Sequence, residues 1–151
     1  MDYMGNDTIK NDAVLVTGAS GYLGRWIIKE LSSRNIPYVG LYKSAEIINS
    51  NFIRCDLTND KEVKILFKEI KPSYVIHCAS LVPKTLDEYN KREFNNINLE
   101  LIDNVITYSD CPIVFISSMT VYDSCSLEFL PIKESIKIDK PKSDYAKGKL
   151  K

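Results

Sequence analysis

The stretch Thr17-Gly18-Ala19-Ser20-Gly21-Tyr22-Leu23-Gly24 follows directly on Ala13–Thr17 (AVLVT) and runs into the pattern Leu23, Ile27, Ile28, Leu31. The first run is apolar and does not alternate, which marks a strand buried on both faces. The second has helical spacing. Glycines between such a strand and helix serve a tight turn, close approach to a pyrophosphate and close helix–strand packing. The N-terminus of the following helix offers free N–H groups and a positive dipole to the phosphates. A glycine triplet alone is a weak signal, and the competing reading is a plain glycine-rich turn. The strand before it and the helix after it are the context that the motif requires. The sequence therefore predicts a dinucleotide cradle with Gly18, Ser20, Gly21, Tyr22, Leu23 and Gly24 as its candidate residues.

Outward from this loop, strand and helix patterns alternate. Tyr38–Tyr42 (YVGLY), Asn51–Cys55 (NFIRC), Tyr74–His77 (YVIH) and Ile113–Ser117 (IVFIS) read as further strands. Asn59 and Glu62 resemble a capping box, and Val63, Leu66, Phe67 and Ile70 line one face of the helix after it. A long helix is expected over about Leu86–Ser109, with Phe94, Ile97, Leu101, Val105 and Tyr108 along one stripe. The segment Asp123–Ser143, with Pro131 and Pro141, reads as a loop over the active edge. This alternation predicts an α/β fold: a Rossmann-like doubly wound parallel sheet in three α/β/α layers, with ligands at the strand C-termini.

Composition narrows the function classes. The 151 residues suit one domain, and 44% hydrophobic content excludes a disordered chain. Lys+Arg 20 against Asp+Glu 20 gives no basic excess, which argues against nucleic acid as a partner. No apolar run reaches the roughly 20 residues of a membrane span. Residues 1–12 read as a flexible arm without the pattern of a secretory signal or transit peptide, so a cytoplasmic protein is expected. Cys55, Cys78, Cys111 and Cys125 form no CxxC pair and there is one histidine, so no metal site is expected. Cys55 and Cys78 read as small apolar side chains in a reducing compartment, and His77 as a packed strand-end residue.

The motifs TGASGYLG, CDL, VIHCAS, ISSMTVY and SDYAKGK occur in this order over about residues 13–151. Together they resemble the short-chain dehydrogenase/reductase superfamily, in its extended branch of nucleotide-sugar epimerases, dehydratases and reductases. The resemblance implies an NAD(P) cofactor, a sugar-nucleotide or similar carbonyl/hydroxyl substrate, and hydride exchange between the nicotinamide and a sugar carbon. It places Asp56 at the adenine amino group with Leu57 on the ring, although a turn-forming Asp before Thr58 is the alternative. It places the small residues Ala79 and Ser80 beside the cofactor, and Asn98 as a buried helix residue that supports the site, with Asn104 completing that helix pattern. Where an acid would read the ribose hydroxyls of NAD, this chain has Tyr42 followed by Lys43. A missing carboxylate beside a cation favours NADP slightly over NAD; the competing reading of Lys43 is a solvated loop lysine.

Tyr145 and Lys149 stand at i and i+4, on one helical face. Tyrosine ordinarily titrates near 10, and a neighbouring ammonium favours its phenolate. The resemblance makes Tyr145 the acid/base, Lys149 its partner and a ribose ligand, and Ser118 the hydroxyl that polarises the carbonyl. Ser118-Met119-Thr120 stands where dehydratases of the family carry Thr-Asp-Glu, so an epimerase or ketoreductase is expected rather than a dehydratase. Asp123 and Ala146 stand where relatives usually carry glycine. Because the family continues into a C-terminal substrate-binding portion, the reading of residues 13–151 is the NAD(P)-binding domain alone, cut after about five strands. Two further expectations follow: self-association through an incomplete sheet edge, and, as the alternative function, a non-catalytic NAD(P)-binding fragment or module.

Overall fold

The computed structural model describes residues 12–44, 49–126, 131–138 and 140–150. Of the expected N-terminal arm only Asp12 falls among them. Five parallel strands, β1 (Val14–Thr17), β2 (Tyr38–Tyr42), β3 (Phe52–Arg54), β4 (Tyr74–His77) and β5 (Ile113–Phe115), form one sheet in the order β3-β2-β1-β4-β5. The order reverses between β1 and β4, whose registers run Val14↔Tyr74 to Thr17↔His77. Ligands of doubly wound sheets bind outside the strand C-termini at such a reversal. The helices are α1 (Tyr22–Ser33), α2 (Asp60–Ile70), α3 (Leu86–Tyr89), α4 (Arg92–Tyr108) and α5 (Asp144–Leu150), with a 3₁₀ turn at Met119–Tyr122.

The chain divides into two compact units, one of Met1–Ser80 with Glu100–Ile116 and one of Leu81–Leu99 with Ser117–Lys151. The first holds the whole sheet, and side-chain alternation along the strands sorts its core into two layers. Leu15, Val39, Leu41 and Val75 point to one face and pack with Val63, Leu66, Phe67 and Ile70 of α2 and Val105 of α4. Val14, Val16, Tyr38 and Ile76 point to the other and pack with Ile27, Ile28 and Leu31 of α1. Both faces of the sheet are covered, which is why its strands read as continuous apolar runs.

The capping reading at α2 holds with a variation. The Asn59 side chain accepts from the Glu62 N–H at 3.4 Å and its amide donates to Glu62 Oε1 at 2.9 Å. The second Glu62 oxygen accepts from the Asp56 N–H at 2.9 Å, tying the β3 exit to the helix start. The expected single helix over 86–109 is instead two. Asn90, at φ −101° and ψ 3°, ends α3, and the Lys91 N–H turns back to the Glu88 carbonyl at 3.1 Å. Asparagine favours such local turns over a helix interior, and α3 buries no residue whose packing would oppose the break. Among the described residues no helix is long and apolar enough to cross a membrane.

Core and surface substitutions should separate cleanly. Leu15 is fully buried, so Leu15→Ala is expected to lower the unfolding free energy by about 2–5 kcal/mol. Ile65 on α2 is 58% exposed, so Ile65→Ala should stay within about 0.5 kcal/mol. Urea titration of both variants measures the contrast.

Candidate functional site

In the sheet-bearing unit, the glycine loop closes at the C-terminal end of β1. Gly18 has φ +63°, and a Cβ there would lie 2.8 Å from the Ala79 backbone nitrogen, so this position requires glycine on both counts. A Cβ at Gly24 would collide with the Gly18 carbonyl and lie 2.7 Å from Ala19 Cα. The loop is therefore a backbone-lined surface against which α1 packs without an intervening side chain. Gly21 caps α1 with no side-chain hydrogen bond, and no acidic residue occupies the first turn. Ser20 is half-buried, Gly21, Tyr22 and Leu23 are exposed, and Gly24 is buried. A helix start without a capping side chain or carboxylate, approached over bare backbone, fits a pyrophosphate.

Thr17 and His77, at the ends of β1 and β4, hold this floor. The fully buried Thr17 hydroxyl accepts from the Ala79 N–H at 3.1 Å and bonds His77 Nδ1 at 3.0 Å. The His77 ring stacks on Phe115 with centroids 5.9 Å apart. His77 is thus packed at a strand end, as its sequence position suggested, and it also belongs to the network that seats Ala79 against Gly18. Ser80, like Ala79, is half-buried just past β4. The threonine ahead of the glycines and the small residues after VIH were the legible signs; the hydrogen bond between them was not, because it joins residues 62 positions apart.

At the β2 and β3 ends the structure brings together two residues that the sequence assigned to separate contacts. Lys43 Nζ lies 2.8 Å from Asp56 Oδ2. The Arg54 guanidinium donates to the Lys43 carbonyl at 3.1 Å, adding a second cation to this edge. Burial works to raise the Asp56 pKa, but the Lys43 ammonium and the Thr58 hydroxyl and N–H outweigh it and hold the carboxyl below its usual range. The Leu57 side chain belongs to the core, and its carbonyl accepts from Asn104 Nδ2 at 2.8 Å. Cys55 is pushed up to about 12, mainly by burial and further by Glu62 and Asp56, so it remains a protonated, apolar thiol. None of the four cysteines forms a disulfide. Among the described residues no group of His, Cys, Asp or Glu is placed to hold a metal ion.

The second unit carries Ser118, Tyr145 and Lys149. Tyr145 and Lys149 are both buried on α5, at 6% and 7% exposure. Burial is the informative observation, because a surface YxxxK would be unremarkable. Lys149 Nζ lies 5.9 Å from the centre of the Tyr145 ring, and Tyr89 packs edge-on against the same ring at 5.5 Å. Ser118 caps the 3₁₀ turn, its Oγ accepting from the Thr120 N–H at 3.2 Å and the Thr120 hydroxyl at 2.9 Å. Ser117, which the sequence reading passed over, donates to the Lys149 carbonyl at 3.0 Å and ties α5 to the serine pair. Asn98 is buried and grips the Leu81 backbone with both amide atoms, accepting from its N–H at 2.7 Å and donating to its carbonyl at 3.0 Å.

The sheet order, the glycine loop and the buried Tyr–Lys helix define a nucleotide-binding protein of the short-chain dehydrogenase type. The NAD dependent epimerase/dehydratase family model matches residues 14–151, and the chain belongs to that family and carries its NAD(P)-binding fold. It is 33% identical over 104 residues to the GDP-L-fucose synthase of Dictyostelium discoideum, covering 66% of this chain and 30% of that protein. It is 28% identical over 147 residues to methionine adenosyltransferase 2 subunit beta of Xenopus laevis, covering 95% of this chain and 42% of the relative. The crystal structure of a hypothetical dTDP-4-dehydrorhamnose reductase from Sulfolobus tokodaii superposes with a TM-score of 0.75 at 27% identity, over 91% of this chain and 49% of that one. The chain thus spans less than half the length of these relatives.

Two outcomes check this geometry. Thr17→Val removes the hydroxyl shared by Ala79 and His77 and is expected to cost about 1–3 kcal/mol, with Thr17→Ser near wild type in urea titration. Because the folded Asp56 carboxyl titrates below the unfolded one, its contribution is present above the ordinary value of 3.8 and is lost as pH falls through the folded value. The urea midpoint should therefore fall on acidification below about pH 4, and less steeply in Asp56→Asn.

Proposed function

We propose that this chain is the cofactor-binding part of an NAD(P)-dependent oxidoreductase or epimerase acting on a nucleoside-diphosphate sugar or a similar carbonyl/hydroxyl substrate. The observation that carries the reading is the burial of Tyr145 and Lys149 together on one face of α5, in the same unit as Ser118. A bound nicotinamide supplies the hydride donor or acceptor. Tyr145 moves the substrate hydroxyl proton, Lys149 supplies positive charge that favours the phenolate, and Ser118 donates a hydrogen bond to the reacting oxygen. Ser118-Met119-Thr120 offers no carboxyl for water elimination, which supports epimerisation or carbonyl reduction over dehydration. The names of two similar proteins, a GDP-L-fucose synthase and a hypothetical dTDP-4-dehydrorhamnose reductase, support a sugar nucleotide as the substrate class.

In the cofactor site, Gly18, Ser20, Gly21, Tyr22, Leu23 and Gly24 would hold the pyrophosphate, with Ala79 and Ser80 beside the dinucleotide and Asp56 and Leu57 toward the adenine. The preference for NADP rests on Lys43 and Arg54 at an edge where NAD binding would call for a carboxylate. A 2′-phosphate would take Lys43 over from Asp56. The second reading, a non-catalytic NAD(P)-binding module, is favoured by the similarity along 95% of the chain to a protein named as a subunit of another enzyme. Four cysteines without a disulfide suit a reducing cytoplasm. Self-association would run along β5, an edge strand whose Val114 is 52% exposed.

Reduction of a panel of nucleoside-diphosphate keto-sugars, followed by nicotinamide absorbance, tests the catalytic reading. Tyr145→Phe should slow turnover by about 10²–10⁴-fold without weakening cofactor binding. Turnover equal to wild type would remove the assignment, and cofactor binding without turnover on any sugar would favour the module.

A further inference from the structure

Asp123 closes the 3₁₀ turn that Ser118 opens, its own N–H donating to the Thr120 carbonyl at 3.0 Å. Its carboxylate reaches across the sequence to the approach of α5. One oxygen accepts from the Lys142 N–H at 2.6 Å and the other from the Ser143 N–H at 3.0 Å. Ser143 passes the constraint on, since its hydroxyl accepts from the Ala146 N–H at 3.2 Å and its carbonyl from the Lys147 N–H at 3.1 Å. One carboxylate therefore joins the end of the turn bearing Ser118 to the start of the helix bearing Tyr145.

Such a joint serves a stretch without regular structure. The connection between the turn and α5 shows no strand or helix among its described residues, so closing it carries a loop-entropy cost that contacts at its two ends must offset. Charge-assisted bonds to backbone N–H groups are the stronger kind. Burial works to raise the Asp123 pKa, but the Lys142 and Ser143 N–H groups, the Ser143 hydroxyl and the Lys142 charge outweigh it, keeping the carboxyl below its usual range and ionised at neutral pH.

We propose that Asp123 is a positioning residue for proton transfer, a two-pronged backbone clamp that fixes the start of the Tyr145 helix to the turn that carries Ser118. The inference rests on the reading of Tyr145 and Ser118 as the reacting pair. Glycine at this position would leave both N–H groups without this partner.

Amide hydrogen exchange on the full chain, in wild type, Asp123→Ala and Asp123→Asn, tests the clamp without any substrate. Exchange over residues 142–150 should accelerate at least about tenfold in Asp123→Ala, while the amides of Leu15, Val39 and Val75 stay at wild-type values. Asp123→Asn keeps one acceptor oxygen and should fall between the two. Unchanged protection over 142–150, or protection lost equally in the central strands, would overturn the clamp. If the alanine variant does not fold, the asparagine variant decides by the same comparison. With a turned-over sugar nucleotide, Asp123→Ala should lower kcat about tenfold or more at saturating NADH, and an unchanged kcat beside lost protection would overturn the positioning role. Failure of the catalytic reading would show separately, as wild-type turnover in Tyr145→Phe.

Discussion

The sheet-bearing unit depends on one steric constraint: backbone must approach backbone where β1 ends. Gly18 lies so close to the Ala79 main chain, and Gly24 to Gly18, that neither position has room for a methyl group. This closeness lets α1 begin shortly after the strand, with no side chain capping its first turn. Thr17 and His77 enforce it from below, through a buried hydroxyl that bonds both the Ala79 N–H and the imidazole. A surface made of main chain has no side chain to move aside, so its shape is set by the fold itself.

Side-chain polarity in both units is spent on holding backbone. Asn98 grips Leu81, Asn104 holds the Leu57 carbonyl and Asp123 takes two consecutive N–H groups. Each fixes an irregular segment that no sheet or helix ladder satisfies, which is where buried polar groups are expected to find work. Lys43 and Asp56 differ, because their ion pair joins two side chains at a partly exposed edge.

Much of this was legible in the sequence. Strand β2 and strand β4 have the residues that their apolar runs marked out, because strands buried on both faces leave unbroken hydrophobic stretches. The glycine loop was legible because steric need fixes residue type. The long helix over 86–109 was misread, because its first turns carry no buried residue and Asn90 offers the chain a local turn instead. The pairing of Lys43 with Asp56, the Thr17–His77 bond and the Asp123 clamp were hidden, since each joins side chains or main chain that only the folded topology brings together. Asp123 stood out in the sequence as a departure from the family pattern, but its partners could not be read from it.

The central claim is that the bare-backbone cradle at Gly18 binds a nicotinamide dinucleotide. Calorimetric titration of the full chain with NADH and NADPH, beside Gly18→Ala, tests it most directly. Gly18→Ala places a methyl group against Ala79 and a side chain at positive φ, a combined strain of about 2–4 kcal/mol. The account predicts saturable one-to-one binding to the wild type, tighter for NADPH, and at least tenfold weaker binding to a Gly18→Ala protein that circular dichroism shows to be folded. Absence of saturable binding by either nucleotide, or equal affinity in folded Gly18→Ala, would contradict it.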